Sequence, residues 1–146
     1  MSEYIAQPQY DMILKLVPIA CVDVCIVSSK GVLLVKRNTE PAKGQWWVPG
    51  GRVYKGEMLR DCAYRKCQEE VNLHCSIGPI VHTDETVFDT GPNGVPVHSI
   101  NVCFLAVPHT NKIEIDTYID DFAWFSHIDS SLHPYVQKCL EGSGLK

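Results

Sequence analysis

The feature that most constrains this chain is a glycine pair feeding a stretch without helix breakers. Gly50-Gly51-Arg52-Val53-Tyr54-Lys55-Gly56-Glu57 is followed by Met58 to Val71, which contain neither glycine nor proline. Paired glycines let the backbone turn tightly and expose a carbonyl, and the run after them reads as one helix. At about 100° per residue, Glu70 shares a helical face with Leu59, Ala63 and Lys66. Leu59 and Ala63 are expected to face the core, which turns Glu70 toward protein. A half-desolvated carboxylate then requires a counter-charge, because an unpaired buried ion is expensive. With Glu57 and Glu69, three acids near one exposed carbonyl form an all-oxygen set of the kind preferred by Mg²⁺ or Mn²⁺. The plain structural alternative is an exposed helix laced by Arg65–Glu69 and Lys66–Glu70 pairs at i, i+4.

A chain of 146 residues suits one domain spanning 1–146 with its own core. Its 45% hydrophobic and 21% charged content argues against disorder. No apolar run approaches the roughly 20 residues of a membrane-spanning helix. The opening Met1-Ser2-Glu3-Tyr4-Ile5 does not look like a secretory signal, so a cytoplasmic location and no membrane partner are expected. A net charge of −4 argues against coating nucleic acid, whose phosphates demand a basic footprint. It leaves room for a single small nucleotide held by local arginines. Seven cysteines, without zinc-type spacing, read as small buried hydrophobes.

Met1 to Asp11 is polar and mixed, and reads as a loosely held arm or a swapped dimer edge. Leu14 to Val27 is a long β-branched run in which Pro18 marks a strand start or an edge. Asp23 stands alone among its apolar residues, either satisfying a buried amide or facing a ligand. Ser28 to Gly31 is a hairpin turn returning through Val32 to Arg37. Trp46 to Pro49 is a short strand before the glycine pair, and Asn72 suits a left-handed helix terminus. Further strands are expected at Ile77–Val81, Thr86–Phe88, Ser99–Val107 and Asp121–Phe125. Ile113–Ile119 is expected as an edge or loop, and Leu132–Leu140 as a closing helix. This order fits an α+β layered domain.

The central segment closely resembles the Nudix signature, G-x5-E-x7-R-E-U-x-E-E-x-G-U with U bulky and apolar. Gly51, Glu57, Arg65, Cys67, Glu69, Glu70 and Leu73 match; Lys66 replaces the first Glu after Arg, and Asn72 replaces Gly. The resemblance implies an α/β/α sandwich with a mixed β-sheet. Lys36 to Val53 further resembles the GDP-mannose mannosyl hydrolase branch, which also lacks the Glu that Lys66 replaces. That branch implies displacement of a nucleoside diphosphate from the sugar's anomeric carbon, a homodimer, and Mg²⁺ or Mn²⁺ as cofactor. Carried onto this chain, it implies metal binding by the Gly51 carbonyl and Glu70, with Glu57 and Glu69 as ligands or support. Arg37 and Arg52 would grip the diphosphate in binding and catalysis. Lys66 would add charge there or pair Glu70, and Asp23 would face the ligand.

The branch's Gln-His pair, a metal ligand and a general base, falls at Tyr118-Ile119, which supply neither. Replacement bases are Asp120, His98, His82 and Glu85, and Asp120 joins Arg37, Arg52 and Glu69 as a catalytic candidate. Trp46, Trp47, Tyr54, Tyr118 and Phe122 offer stacking surfaces. Glu69, which the mannosyl hydrolases tend to lose, keeps a phosphoanhydride-cleaving pyrophosphatase open. Lys66 beside Glu70 keeps open a catalytically silent nucleotide-binding module.

Overall fold

Chain order and hydrophobic alternation build the sheet that carries the site. The computed structural model describes residues 5–146. Helix α1 spans Gln7–Leu16, with proline in its first turn, and ends at an extended Val17. The expected loose arm is therefore helical from Gln7; its residues 1–4 lie outside the described residues. Proline suits a first helical turn, where its missing N–H bonds nothing. Leu14 to Leu16 accordingly belong to this helix, and Pro18 separates it from strand β1, Ile19–Ser28.

Strands β2 (Gly31–Arg37), β3 (Trp46–Trp47), β4 (Gly50–Arg52), β5 (Cys75–Phe88), β6 (Val97–Pro108) and β7 (Ile119–Phe125) join β1 in one sheet. Its order is β3-β2-β1-β6-β5, with β4 paired to β1 and β7 paired to β2. The β1–β6 pair is parallel and the remaining pairs are antiparallel, which makes the sheet mixed. The two strand pieces expected between Leu73 and Phe88 are one strand, continued through register shifts near Ile77 to His82.

Helix α2, Leu59–Val71, covers one face over Val22, Val24, Ile26, Leu33, Val35 and Phe104. Helix α3, Pro134–Gly142, covers the other over Cys25, Val32, Leu34 and Cys103. Alternate residues of β1, β2 and β6 thus go to opposite helices, as the two-residue strand period requires. The result is the α+β sandwich of helices about a mixed sheet. No helix among the described residues is long and apolar enough to cross a membrane.

Two local expectations shift. Helix α2 begins at Leu59, which is 39% exposed, so the buried stripe runs through Cys62, Ala63, Cys67, Glu70 and Val71 instead. Leu59 lies in the first turn, beyond the edge of the core. Helix α3 starts at Pro134 because His133 caps it, Nδ1 accepting from the Tyr135 N–H at 3.0 Å. Asn72 closes α2 at φ 60°, the left-handed position expected of it.

Candidate functional site

Strand β4 pairs with β1 so that Asp23 faces Gly50 and Val22 faces Gly51, which places the glycine pair at the end of the sheet beside α2. Glycine is required at Gly50, where an added Cβ would lie 2.1 Å from Asp23 Oδ1 and 2.4 Å from the Val22 carbonyl, whereas at Gly51 it would meet only the end of Lys66, 2.8 Å from Cε. Glu70, 8% exposed, reaches from α2 to accept the Gly50 N–H at 3.3 Å. Burial pushes its carboxyl up to about 7, against the opposing pull of Lys66 and the Gly50 N–H. Lys66 Nζ lies 3.6 Å from Glu70 and 3.4 Å from Glu69. Burial pulls the Lys66 ammonium down, but Glu70 and Glu69 more than restore it, and its pKa is raised overall.

Arg65 organises the other acids. Its guanidinium donates to Glu57 at 2.8 Å, to Glu69 at 2.9 Å and to the Arg52 carbonyl at 3.0 Å. Its side chain stacks over Tyr54 at 3.7 Å. Hydrogen bonding from Arg65 holds the Glu57 carboxyl below its ordinary range. Glu57 also accepts the Tyr54 N–H at 3.1 Å, bracing the loop that enters α2.

Two compartments meet over Gly50, Gly51 and Arg37. A charged one of about 230 Å³, on the α2 side, is lined by Arg37, Lys66, Glu70, Asp116 and Tyr118. A larger one of about 290 Å³ opens on the α3 side, walled by Tyr10, Trp47 and Phe88. Its floor is a row of buried polar side chains. Thr86 bonds Ser99 at 2.8 Å, Ser99 donates to Asn101 at 2.7 Å, and Asn101 donates to Asp23 at 2.9 Å. Asp23 also accepts from the Tyr135 hydroxyl at 2.5 Å. Burial raises the Asp23 carboxyl, while these two donors oppose the shift.

Of the predicted residues, Gly51, Lys66, Glu70 and Arg37 meet in the charged compartment, and Asp23 and Arg52 line the larger one. Arg37 is steered by its Nε bond to the Pro41 carbonyl at 2.7 Å, and Arg52 lies over Tyr10 and Tyr54. Asp120 accepts from Asn38 at 3.0 Å on the exposed surface and lines neither compartment. His82 is paired with Asp84 at 3.0 Å and His98 lies 3.7 Å from Glu85, all on β5 and β6 away from the charged compartment. The carboxylate that does face it from the late loop is Asp116, whose N–H bonds the Glu70 carbonyl at 3.0 Å. Among the stacking candidates, Trp47 and Tyr118 line the cleft, Trp46 packs edge-on against Phe125, and Phe122 borders a separate cavity.

The acids do not form a ready cage for a divalent ion. Among the described residues no three His, Cys, Asp or Glu side chains converge where they could hold one. Glu57 and Glu69 are committed to Arg65, and the cation beside Glu70 is the ammonium of Lys66. A metal at about 2.1 Å from these oxygens would have to displace that ammonium.

Comparison with known proteins places this geometry in a family context. The NUDIX domain family model matches residues 17–138. The low-salt glycan biosynthesis protein Agl8 of Haloferax volcanii is 34% identical over 139 residues, covering 94% of this chain and 89% of that protein. The nucleoside triphosphatase NudI of Escherichia fergusonii is 29% identical over 110 residues, covering 70% of this chain and 78% of that protein. The crystal structure of a MutT NUDIX hydrolase from Burkholderia pseudomallei superposes with a TM-score of 0.74 at 22% identity, covering 86% of this chain and 98% of that one.

Proposed function

Because the chain belongs to the Nudix family of hydrolases, which act on nucleoside diphosphate derivatives and generally use divalent cations such as Mg²⁺, we propose that its substrate is a nucleotide sugar, hydrolysed with release of the nucleoside diphosphate. The observation that carries this reading is the two-part cleft. A diphosphate fits the charged part, where Arg37 and Lys66 supply donors. A sugar fits the larger part, where aromatic walls stand over a floor of hydroxyl, amide and carboxylate groups. Such a floor discriminates strongly, because a ligand lacking the matching hydroxyls leaves buried polar groups unpaired. The relative named for glycan biosynthesis supports a sugar-bearing substrate.

On this reading Arg37 and Lys66 take up negative charge on the departing diphosphate, Arg52 borders it from the larger compartment, and Asp23 orients the sugar. Asp116, half-buried and facing the charged compartment, accepts the proton of the attacking water in place of Asp120. The first substrate to try is GDP-mannose with Mg²⁺, alongside other nucleotide sugars and nucleoside triphosphates. Free sugar plus nucleoside diphosphate supports the proposal. Sugar 1-phosphate plus nucleoside monophosphate defeats it in favour of attack at phosphorus, a second reading favoured by the similarity to a nucleoside triphosphatase and by the presence of Glu69. Turnover of none of these substrates by the folded protein supports the silent-module reading.

A further inference from the structure

We propose that the Lys66 ammonium is the resident cation of the diphosphate site, so that this protein holds a nucleoside diphosphate without a divalent ion. The inference rests on reading the charged compartment as the diphosphate site. Lys66 stands where the Nudix signature has an acid, and one turn later in α2 come the two acids it pairs with. Its side chain is only 16% exposed. The stem lies against Gly51, where an added Cβ would meet Nζ at 3.0 Å, so this glycine admits the lysine as well as the turn. The ammonium is thus fixed at the junction of the acids and the glycine pair while still lining the cavity.

Charge balance in the compartment favours this use. The charged groups lining it are Arg37 and Lys66 against Glu70 and Asp116. Replacing Lys66 by the acid of the signature would reverse its contribution and leave three carboxylates with one guanidinium, a set that needs an added cation to accept a diphosphate. With lysine present that cation is tethered, and no ion need be recruited from solution. A divalent ion entering beside Glu70 would instead meet like-charge repulsion from Lys66.

Calorimetric titration with GDP, UDP and ADP, in EDTA and in Mg²⁺, tests the inference without reference to turnover. Wild-type protein is expected to bind its preferred diphosphate in EDTA within about tenfold of its affinity in Mg²⁺. Lys66→Met is expected to lose about ten- to a hundredfold in EDTA, the scale of one charge-assisted hydrogen bond, while Lys66→Arg keeps most of the affinity. Because Lys66→Met leaves Glu70 buried without its partner, the double variant Lys66→Met/Glu70→Gln repeats the measurement in a fold relieved of that charge. Mn²⁺ paramagnetic resonance is expected to report tighter ion binding by Lys66→Met than by wild type. Wild-type binding that requires the divalent ion, or EDTA binding by the double variant no weaker than that of Glu70→Gln alone, overturns the inference but leaves the diphosphate site standing. Failure of the folded wild type to bind any of the three, with or without Mg²⁺, overturns the site assignment as well.

Discussion

The buried carboxylate of Asp23 ties the floor of the larger compartment to α3, and Tyr135→Phe isolates that link. Asp23 is 4% exposed and its Oδ2 accepts from Asn101 at 2.9 Å and Tyr135 at 2.5 Å. Removing the hydroxyl changes no packing volume of consequence but takes one of two donors from a buried carboxylate. Leaving a buried polar group short of a partner costs about 1–3 kcal/mol, so the expected loss is about 2 kcal/mol. At this chain length that corresponds to a Tm lower by about 6 °C. The loss should depend on pH. Burial raises the folded Asp23 pKa, so ionisation costs stability as pH rises above the unfolded value near about 3.9. Removing a donor raises the folded pKa further and enlarges that cost. Chemical unfolding across a pH series should therefore show a loss that never shrinks as pH rises from about 4 and that grows once pH passes the folded pKa. Repeating the change in an Asp23→Ala background removes the acceptor, and the coupling from the double-mutant cycle should recover most of that loss of about 2 kcal/mol. Coupling below about 0.5 kcal/mol would refute the view that the Tyr135 hydroxyl holds Asp23 in place.

Gly50→Ala should destabilise by about 3 kcal/mol, since its Cβ would meet the Val22 carbonyl at 2.4 Å and backbone cannot yield cheaply. Gly51→Ala meets only the end of Lys66 and should cost about 1 kcal/mol; equal losses in urea unfolding would show that β4 moves freely. Arg65→Met should cost about 3 kcal/mol, because it strips the guanidinium from Glu57, whose side chain is 6% exposed. Glu57 has a lowered folded pKa, so its contribution is present above the unfolded carboxylate value and lost on acidification. The wild-type advantage should therefore shrink below about pH 4, and a constant difference down to pH 3 would contradict it. His133 has a folded pKa lowered by burial, so it stabilises above its unfolded value of about 6.5 and loses that contribution as pH falls below it. His133→Asn keeps a capping acceptor and should flatten thermal stability between pH 5 and about 6.5; an unchanged slope would assign it to other groups.

Much of the charged compartment was legible in advance because its parts are close in sequence. Gly51, Lys66 and Glu70 are linked by one turn and one helix, and helical spacing alone brings Lys66 and Glu70 together. Asn72 was readable for the same reason, as a residue that tolerates a left-handed terminus. Helix α1 was obscured because it is short and only Leu14 within it is buried. What settles it is tertiary: Leu14 packs with Val95 and Val97, far along the chain. The extent of β5 was missed because Gly78 and Pro79 punctuate it, while pairing with β6 carries the strand past them.

The larger compartment was hidden for a different reason, and the reason points back to its use. Strand β6 lies between β1 and β5 under helices on both sides, where both faces are expected to be apolar. Ser99 and Asn101 break that rule on one face, in the first half of the strand, while Cys103, level with Asp23 and Gly50, restores it two residues later. Asp23 breaks it likewise on the neighbouring β1, and Thr86 does so directly across from Ser99 on β5. Each residue alone is an ordinary satisfied polar group, which is why none of the three beyond Asp23 stood out in sequence. Only the sheet register aligns four of them across three strands and under a cavity. A row of that kind costs desolvation at every member and contributes less than apolar packing would. Its placement under the larger cavity, beside the charged compartment, accords with the nucleotide-sugar substrate proposed above.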